Sequence, residues 1–172
     1  MVKKIYLIIV ILLLTSCDTK LRNLTIEKIP YLGSELRIDG YYHSNIDSEG
    51  NIIGVAVFYR DGFCIHTWVT PTNQDTLNYI ENDILLNDAY INKMMKDPSH
   101  IGVFQIMYPN IQFEVWEFRS WPFTYYGSIS NDTTFIINKR KINTSGKTYQ
   151  ENLTYRFKQF SPKPDSTSVY VK

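Results

Sequence analysis

The amino-acid sequence predicts a mainly β chain: an antiparallel up-and-down barrel or strongly curved sheet of about eight to nine strands, carrying one helical insert. Three observations point there. Residues that favour strands abound, with 13 Tyr, 9 Phe and 3 Trp among 172 residues, while alanine is scarce. Most of the chain divides into short runs of alternating polarity separated by turn-forming pairs such as Asp61-Gly62 and Asn131-Asp132. One interval alone, residues 72–97, carries apolar residues at helical spacing. Consecutive hairpins with a single covering helix suit a closed or strongly curved sheet better than a sandwich, and closure removes the edge strands that would template association.

The chain opens on Lys3 and Lys4, ten apolar or aromatic residues from 5 to 14, and small residues up to a cysteine. That apolar run is too short to span a bilayer, which needs ~20 residues, and it has the layout of an export signal over residues 1–16. The run Leu14-Thr15-Ser16-Cys17 resembles the lipobox of bacterial lipoproteins. The resemblance implies a diacylglycerol (palmitate-type chains) attached in thioether linkage to Cys17 and cleavage before it, so that Cys17 begins the mature protein. Each buried CH2 contributes ~0.8 kcal/mol, so several acyl chains on one cysteine hold a soluble domain firmly. The expected location is the bacterial cell envelope. Asp18 resembles an inner-membrane retention signal of enteric bacteria, but other lineages read that position differently, and the expectation here is the outer membrane over the inner. The full chain carries 18 basic and 17 acidic residues; loss of Lys3 and Lys4 leaves a net −1. Nothing in that balance suits a nucleic-acid partner, and Lys139-Arg140-Lys141 is too short a basic run to change this.

Residues 17–30 read as a polar tether, and residues 31–172 as one β-rich domain. Leu36, Ile38, Gly40 and Tyr42 alternate with Arg37, Asp39 and Tyr41, which predicts a first strand. A polar loop over 43–51 follows. Residues 52–60 and 63–70 flank Asp61-Gly62, a two-residue type I′ hairpin signal. This turn would oppose Tyr59 to Cys64, Val57 to His66 and Val55 to Trp68, with Phe58 and Ile65 on the other face. Both faces of that hairpin are apolar, so one must line an interior and the other must lie under a cover. Leu77, Ile80, Ile84, Tyr90, Met94 and Met95 supply the cover, as two short helices divided at Asn87-Asp88.

The second half returns to strands. Residues 103–108 and 111–118 meet at Pro109-Asn110, where proline predicts a wide connection rather than a type I′ turn. Residues 125–130 and 133–138 form a hairpin about Asn131-Asp132. Residues 149–160 make a long strand with Leu153, Tyr155 and Phe157 inward, and residues 168–171 a short last one. The phrases Gly102-Val103-Phe104-Gln105-Ile106, Tyr126-Gly127-Ser128-Ile129-Ser130-Asn131-Asp132-Thr133-Thr134-Phe135-Ile136 and Lys163-Pro164-Asp165-Ser166-Thr167 resemble those of small uncharacterised lipoproteins of gut Gram-negative bacteria, some thought lipocalin-like. The Gly-x-Trp signature of true lipocalins is replaced by Gly40-Tyr41-Tyr42, so no ligand chemistry carries over.

Motifs of enzyme chemistry are missing: the sequence has no Gly-x-Ser-x-Gly, His-Glu-x-x-His, phosphate loop or Cys-x-x-Cys. No catalytic residue, metal site or cofactor is therefore expected. His43, His66 and His100 are widely separated, and Cys64, left alone once Cys17 is acylated, reads as a buried thiol. Glu114 and Glu117 fall on opposite faces of a regular strand. Two functions remain. In the first, the barrel interior binds a small apolar or amphipathic ligand through Tyr42, His66, Trp68, Trp116, Trp121 and Tyr126, because barrels of about eight strands can hold one. In the second, a packed barrel serves as a structural or interaction lipoprotein that docks on an envelope protein.

Overall fold

The computed structural model describes residues 23–45, 52–70, 75–117 and 121–171. Cys17, the first part of the expected tether (17–22) and the start of the helical insert lie outside them. Among the described residues, eight antiparallel strands close into a barrel in simple sequential order. They are β1 (Gly40–Ser44), β2 (Ile53–Phe58), β3 (Phe63–Val69), β4 (Ile101–Met107), β5 (Asn110–Glu117), β6 (Trp121–Asn131), β7 (Thr134–Ile142) and β8 (Thr148–Gln159). β1 pairs with β8 from Gly40 opposite Gln159 to Ser44 opposite Tyr155, which seals the sheet. The expected barrel is present. Residues 36–39 and 168–171 are not strands: alternation makes a strand only where a neighbour offers a ladder, and among the described residues no ladder runs along them, Arg37 and Asp39 making only single backbone hydrogen bonds to Asp132 and Phe160.

The Asp61-Gly62 hairpin forms in a different register from the expected one. Phe58 pairs with Cys64, Ala56 with His66 and Gly54 with Trp68, a shift of one residue. The loop has three residues rather than two. Gly62 N–H donates to Tyr59 O at 3.0 Å, closing a turn over Arg60-Asp61, and Gly62 alone takes a positive φ of 87°. This is the type I turn with a glycine bulge that also connects strands tightly. Its geometry is fixed by neighbours: Phe104 N–H donates to Gly62 O, and a Cβ on Gly62 would stand 2.3 Å from Ile29 O. The Pro109 connection is also tighter than expected. Met107 pairs with Asn110 across Tyr108-Pro109, whose peptide is cis, so proline occupies the second central position rather than the first. At the β6–β7 hairpin Asn131 pairs with Thr134, so the turn residues are Asp132 and Thr133.

One apolar face of the sheet lines an interior and the other lies under a cover, as expected, but the shifted register corrects their membership: Phe58 joins Cys64 and Trp68 inside, while Val55 and Val57 join Ile65 outside. Tyr42, Phe58, Phe104, Phe113, Tyr125, Phe135 and Tyr155 fill the interior, all nearly or wholly buried. Phe113 stacks on Tyr125 and Phe135 on Tyr155, both at 4.7 Å between ring centroids, and Phe58 lies 4.7 Å from Phe104. Outside, Val55, Val57, Ile65, Ile101 and Val103 form a second cluster. The insert covers it: α1 (Thr76–Tyr79) runs into a π-helical stretch (Ile80–Leu85), and α2 (Asp88–Lys96) follows. Ile80, Ile84, Leu85, Ile91 and Met94 are the buried side chains of that cover. Asn87 divides the two parts by capping α2, its side chain accepting from Tyr90 N–H at 3.1 Å.

Two segments outside the strands close one end of the barrel. Tyr31 and Leu36 enter the interior cluster, with Leu36 N–H donating to the Tyr31 hydroxyl at 2.8 Å. Lys163 comes from the C-terminal side, its ammonium donating to Ile38 O at 2.8 Å and Phe58 O at 2.6 Å and standing 4.1 Å from the centre of the Tyr59 ring. Burial pulls this ammonium down to about 8. Residues 23–30, expected as tether, are bound to the barrel wall. Glu114, wholly buried on the outside of β5, accepts from Thr25 N–H and Ile26 N–H, both at 2.8 Å, and from the Thr25 hydroxyl at 2.9 Å; its other oxygen accepts from Asn143. A carboxylate taken out of water is tolerated only when its lone pairs are filled in this way.

Candidate functional site

The end of the barrel opposite the Tyr31 plug collects the polar side chains of the interior. Inward alternation along β3 delivers Cys64, His66 and Trp68 to one wall, and the same alternation continues Ile111, Phe113 and Val115 of β5 to Glu117. Tyr125 of β6 and Tyr155 of β8 complete the ring. Gly54 of β2 makes room, since a Cβ there would lie 2.1 Å from the Tyr155 hydroxyl. His66 Nε2 and that hydroxyl are 2.9 Å apart. The tautomer decides which donates.

Two features of this ring are unusual for a core. First, His66 Nδ1 is buried and has no hydrogen-bond partner among the described residues. Its ring is packed 4.9 Å from Trp68, 4.9 Å from Tyr125 and 5.2 Å from Phe113, and burial, the dominant cause, pulls the imidazole down to about 3. The ring is thus neutral near pH 7, with one nitrogen unsatisfied. Second, the Glu117 carboxyl sits beside these rings. The Tyr125 hydroxyl and, at 3.3 Å, Trp68 Nε1 both donate to its Oε1. Burial pushes Glu117 upward against those two hydrogen bonds, which favour its charged form. Arg140 stands behind the group, with Nε 3.0 Å from Glu151 Oε1 but out of line for a hydrogen bond, and with its guanidinium over the Phe123 and Tyr149 rings. The arrangement offers a neutral imidazole nitrogen, a carboxyl and aromatic walls. No three His, Cys, Asp or Glu side chains among the described residues converge as metal ligands do.

The expected binding residues separate in space. His66 and Trp68 belong to this ring, and Trp121, half exposed, stands at its rim on β6 opposite Glu117 of β5. Tyr42 faces the interior but at the plugged end, where its hydroxyl donates to Arg37 O at 2.8 Å. Trp116 points outward and is buried in the cluster beneath the helical insert. Tyr126 also points outward, with the Lys139 ammonium 4.3 Å from its ring centre. The reason for both is parity: Glu117 and Tyr125, one residue away from each, hold the inward positions. Glu114 and Glu117 do lie on opposite faces. Cys64 is a buried free thiol whose pKa burial pushes up, so it carries no nucleophile's activation.

Glu117, Tyr125, Tyr155 and Arg140 escaped the reading of the sequence as a site. One signal for Glu117 was present: it continues the inward register of three apolar residues, where a carboxyl is out of place. In comparisons with known proteins the chain matched no protein family, no curated protein and no solved structure.

Proposed function

We propose that the protein is a lipid-anchored lipoprotein of the bacterial cell envelope whose barrel holds a small amphipathic or aromatic molecule at the Trp68–Trp121 end. The anchor rests on the lipobox-like run ending at Cys17. The binding reading rests on one observation above the others: His66 Nδ1 is a buried polar atom with no partner, inside an aromatic ring that also holds a carboxyl. Buried polar atoms in folded proteins are nearly always satisfied, and one that is not marks a place where another group belongs. Trp68 is the member of that ring which remains partly exposed, so a planar molecule stacked there would meet the carboxyl that Trp68 and Tyr125 share. The ligand site would be shallow, because stacked rings fill the barrel below it.

That filling favours a second reading, a packed barrel that acts through its outer surface. Native mass spectrometry of the protein taken from membranes in mild detergent separates the two. The first reading expects a small non-covalent adduct that is lost in Trp68→Ala while the fold survives. A parent protein free of any adduct, whose melting temperature is unmoved by lipid-extract metabolites, decides for the second.

A further inference from the structure

The charged side chains of the Trp68–Trp121 end indicate the charge of its occupant. Alternation turns three of them inward: Glu117 of β5, Arg140 of β7, which pairs with the inward Tyr125, and Glu151 of β8, two residues before the inward Leu153. Arg140 is already engaged. Its Nε stands 3.0 Å from Glu151 Oε1, and its guanidinium lies over the Phe123 and Tyr149 rings. Lys147, exposed in the β7–β8 turn, keeps to the same wall, 4.7 Å from the centre of the Tyr149 ring. Glu117 has only neutral donors, the Tyr125 hydroxyl and Trp68 Nε1, both on one oxygen, and among the described residues no salt bridge joins it to a cation. We propose that the occupant of this end is an organic cation, an amine whose ammonium pairs with Glu117 and whose hydrocarbon part lies against Trp68 and Trp121. The proposal rests on the ligand-binding reading above and names the class of the ligand.

Three observations favour a cation. The first is the example the molecule itself supplies. Arg140 is a cation seated by aromatic rings and a carboxylate, an arrangement in which ring faces and an opposite charge attract together. Glu117 with Trp68 and Trp121 repeats that set of groups from β3, β5 and β6, without a cation of its own. The second is the cost of the buried carboxyl. Burial works against the charge on Glu117; the hydrogen bonds from Tyr125 and Trp68 and the charge of Arg140 support it, Glu151 opposes it, and burial prevails. An ammonium at hydrogen-bond distance supplies the compensation that a desolvated carboxylate lacks here. The third is what the site refuses. An anion would meet two carboxyls and would have to displace Glu151 from Arg140, whereas the His66 imidazole, neutral near pH 7, adds no repulsion to an ammonium. With its proton on Nε2 and donated to the Tyr155 hydroxyl, His66 presents the unpartnered Nδ1 as an acceptor, the polarity that an N–H group fills.

The test titrates the full chain in mild detergent with three molecules of one shape, 2-phenylethylamine, 2-phenylethanol and phenylacetate, followed by calorimetry at about pH 7.5, where the amine and the acid are both charged. The amine should bind about tenfold or more tightly than the alcohol, with the acid weakest. Glu117→Gln keeps an oxygen for Tyr125 and Trp68 to donate to, and it should abolish the preference for the amine. An alcohol or acid that binds as well as the amine overturns the proposal, and so does a preference that survives Glu117→Gln. If that variant does not fold, the ranking of the three probes on the parent decides alone. The adduct sought by native mass spectrometry separates this proposal from the reading beneath it. An adduct that carries a basic nitrogen and is lost in Glu117→Gln upholds the amine even where the phenyl probes do not bind. An adduct without nitrogen leaves a ligand site and removes the amine, whereas no adduct and no bound probe removes the site as well.

Discussion

The His66 imidazole shows how one buried group ties stability to pH. Burial lowers it to about 3 from an ordinary 6.5, and burial moves His43 and His100 in the same direction. Between those limits the unfolded chain binds protons that the folded chain refuses. Stability from this source is therefore complete above about pH 6.5 and is lost as the pH falls, by up to ~1.4 kcal/mol per pH unit for each histidine. Glu117 acts with the opposite sign. Its raised folded-state pKa means that the folded chain holds a proton the unfolded chain has released, so its contribution is lost as the pH rises through that value. The melting temperature should fall from about pH 6.5 to pH 4, and His66→Phe should flatten that slope. Thermal melts in a buffer series measure it, and parallel slopes for parent and variant would remove His66 as the cause. The same residue explains what Gly54 is for. Without a side chain at that position, the Tyr155 hydroxyl reaches His66 across the barrel.

At the scale of elements, the β2–β3 hairpin sets which side chains face inward. Gly62 holds the only positive φ of its loop and lies under Ile29 O, so Gly62→Val combines backbone strain with a collision against a strap that cannot move freely. It should destabilise the domain by ~1–3 kcal/mol, read from denaturant or thermal unfolding. A variant that melts with the parent would show that the turn relaxes to another geometry. The strap itself is an element held by chemistry from far along the chain. Thr25 and Ile26 are fixed by a carboxylate 89 and 88 residues away, which no local pattern in residues 17–30 announces. Polarity made that stretch resemble a tether, and two of its apolar residues, Leu24 and Ile26, pack it against the outer cluster.

For the molecule as a whole, the outer cover and the inner core are independent layers on one sheet. The insert shields Trp116, Ile65 and Val103 from water, the interior rings shield one another, and the described members of both layers all lie at residue 24 or later. Cys17→Ala should therefore abolish incorporation of a labelled palmitate while leaving the thermal melt of the domain within experimental error of the parent. A lowered melt would show that the N-terminal region contributes to the fold, and label retained on the variant would place the lipid elsewhere. Either outcome is read on the same preparation.

Local chemistry determined the class of this fold. Alternation of period two, turn pairs and one stretch of helical spacing are written in neighbouring residues, and each dictates its element with little help from the rest. Leu153, Tyr155 and Phe157 face inward, Asn87 divides the insert, and both faces of the first hairpin are covered, as that chemistry requires. The tertiary structure decided whatever depended on a distant partner. Asp61-Gly62 is compatible with a two-residue and a three-residue loop, and contacts from Ile29 and Phe104 select the longer one, moving every pair by one residue. Residues 36–39 alternate but become a plug because the barrel end needs closing more than its edge needs a strand. Trp116 and Glu117 are adjacent on a strand whose two faces both carry apolar residues, so composition could not say which face was the inside. Closure of β1 on β8 settled it, bringing Glu117, Tyr125, His66 and Tyr155 together from four strands.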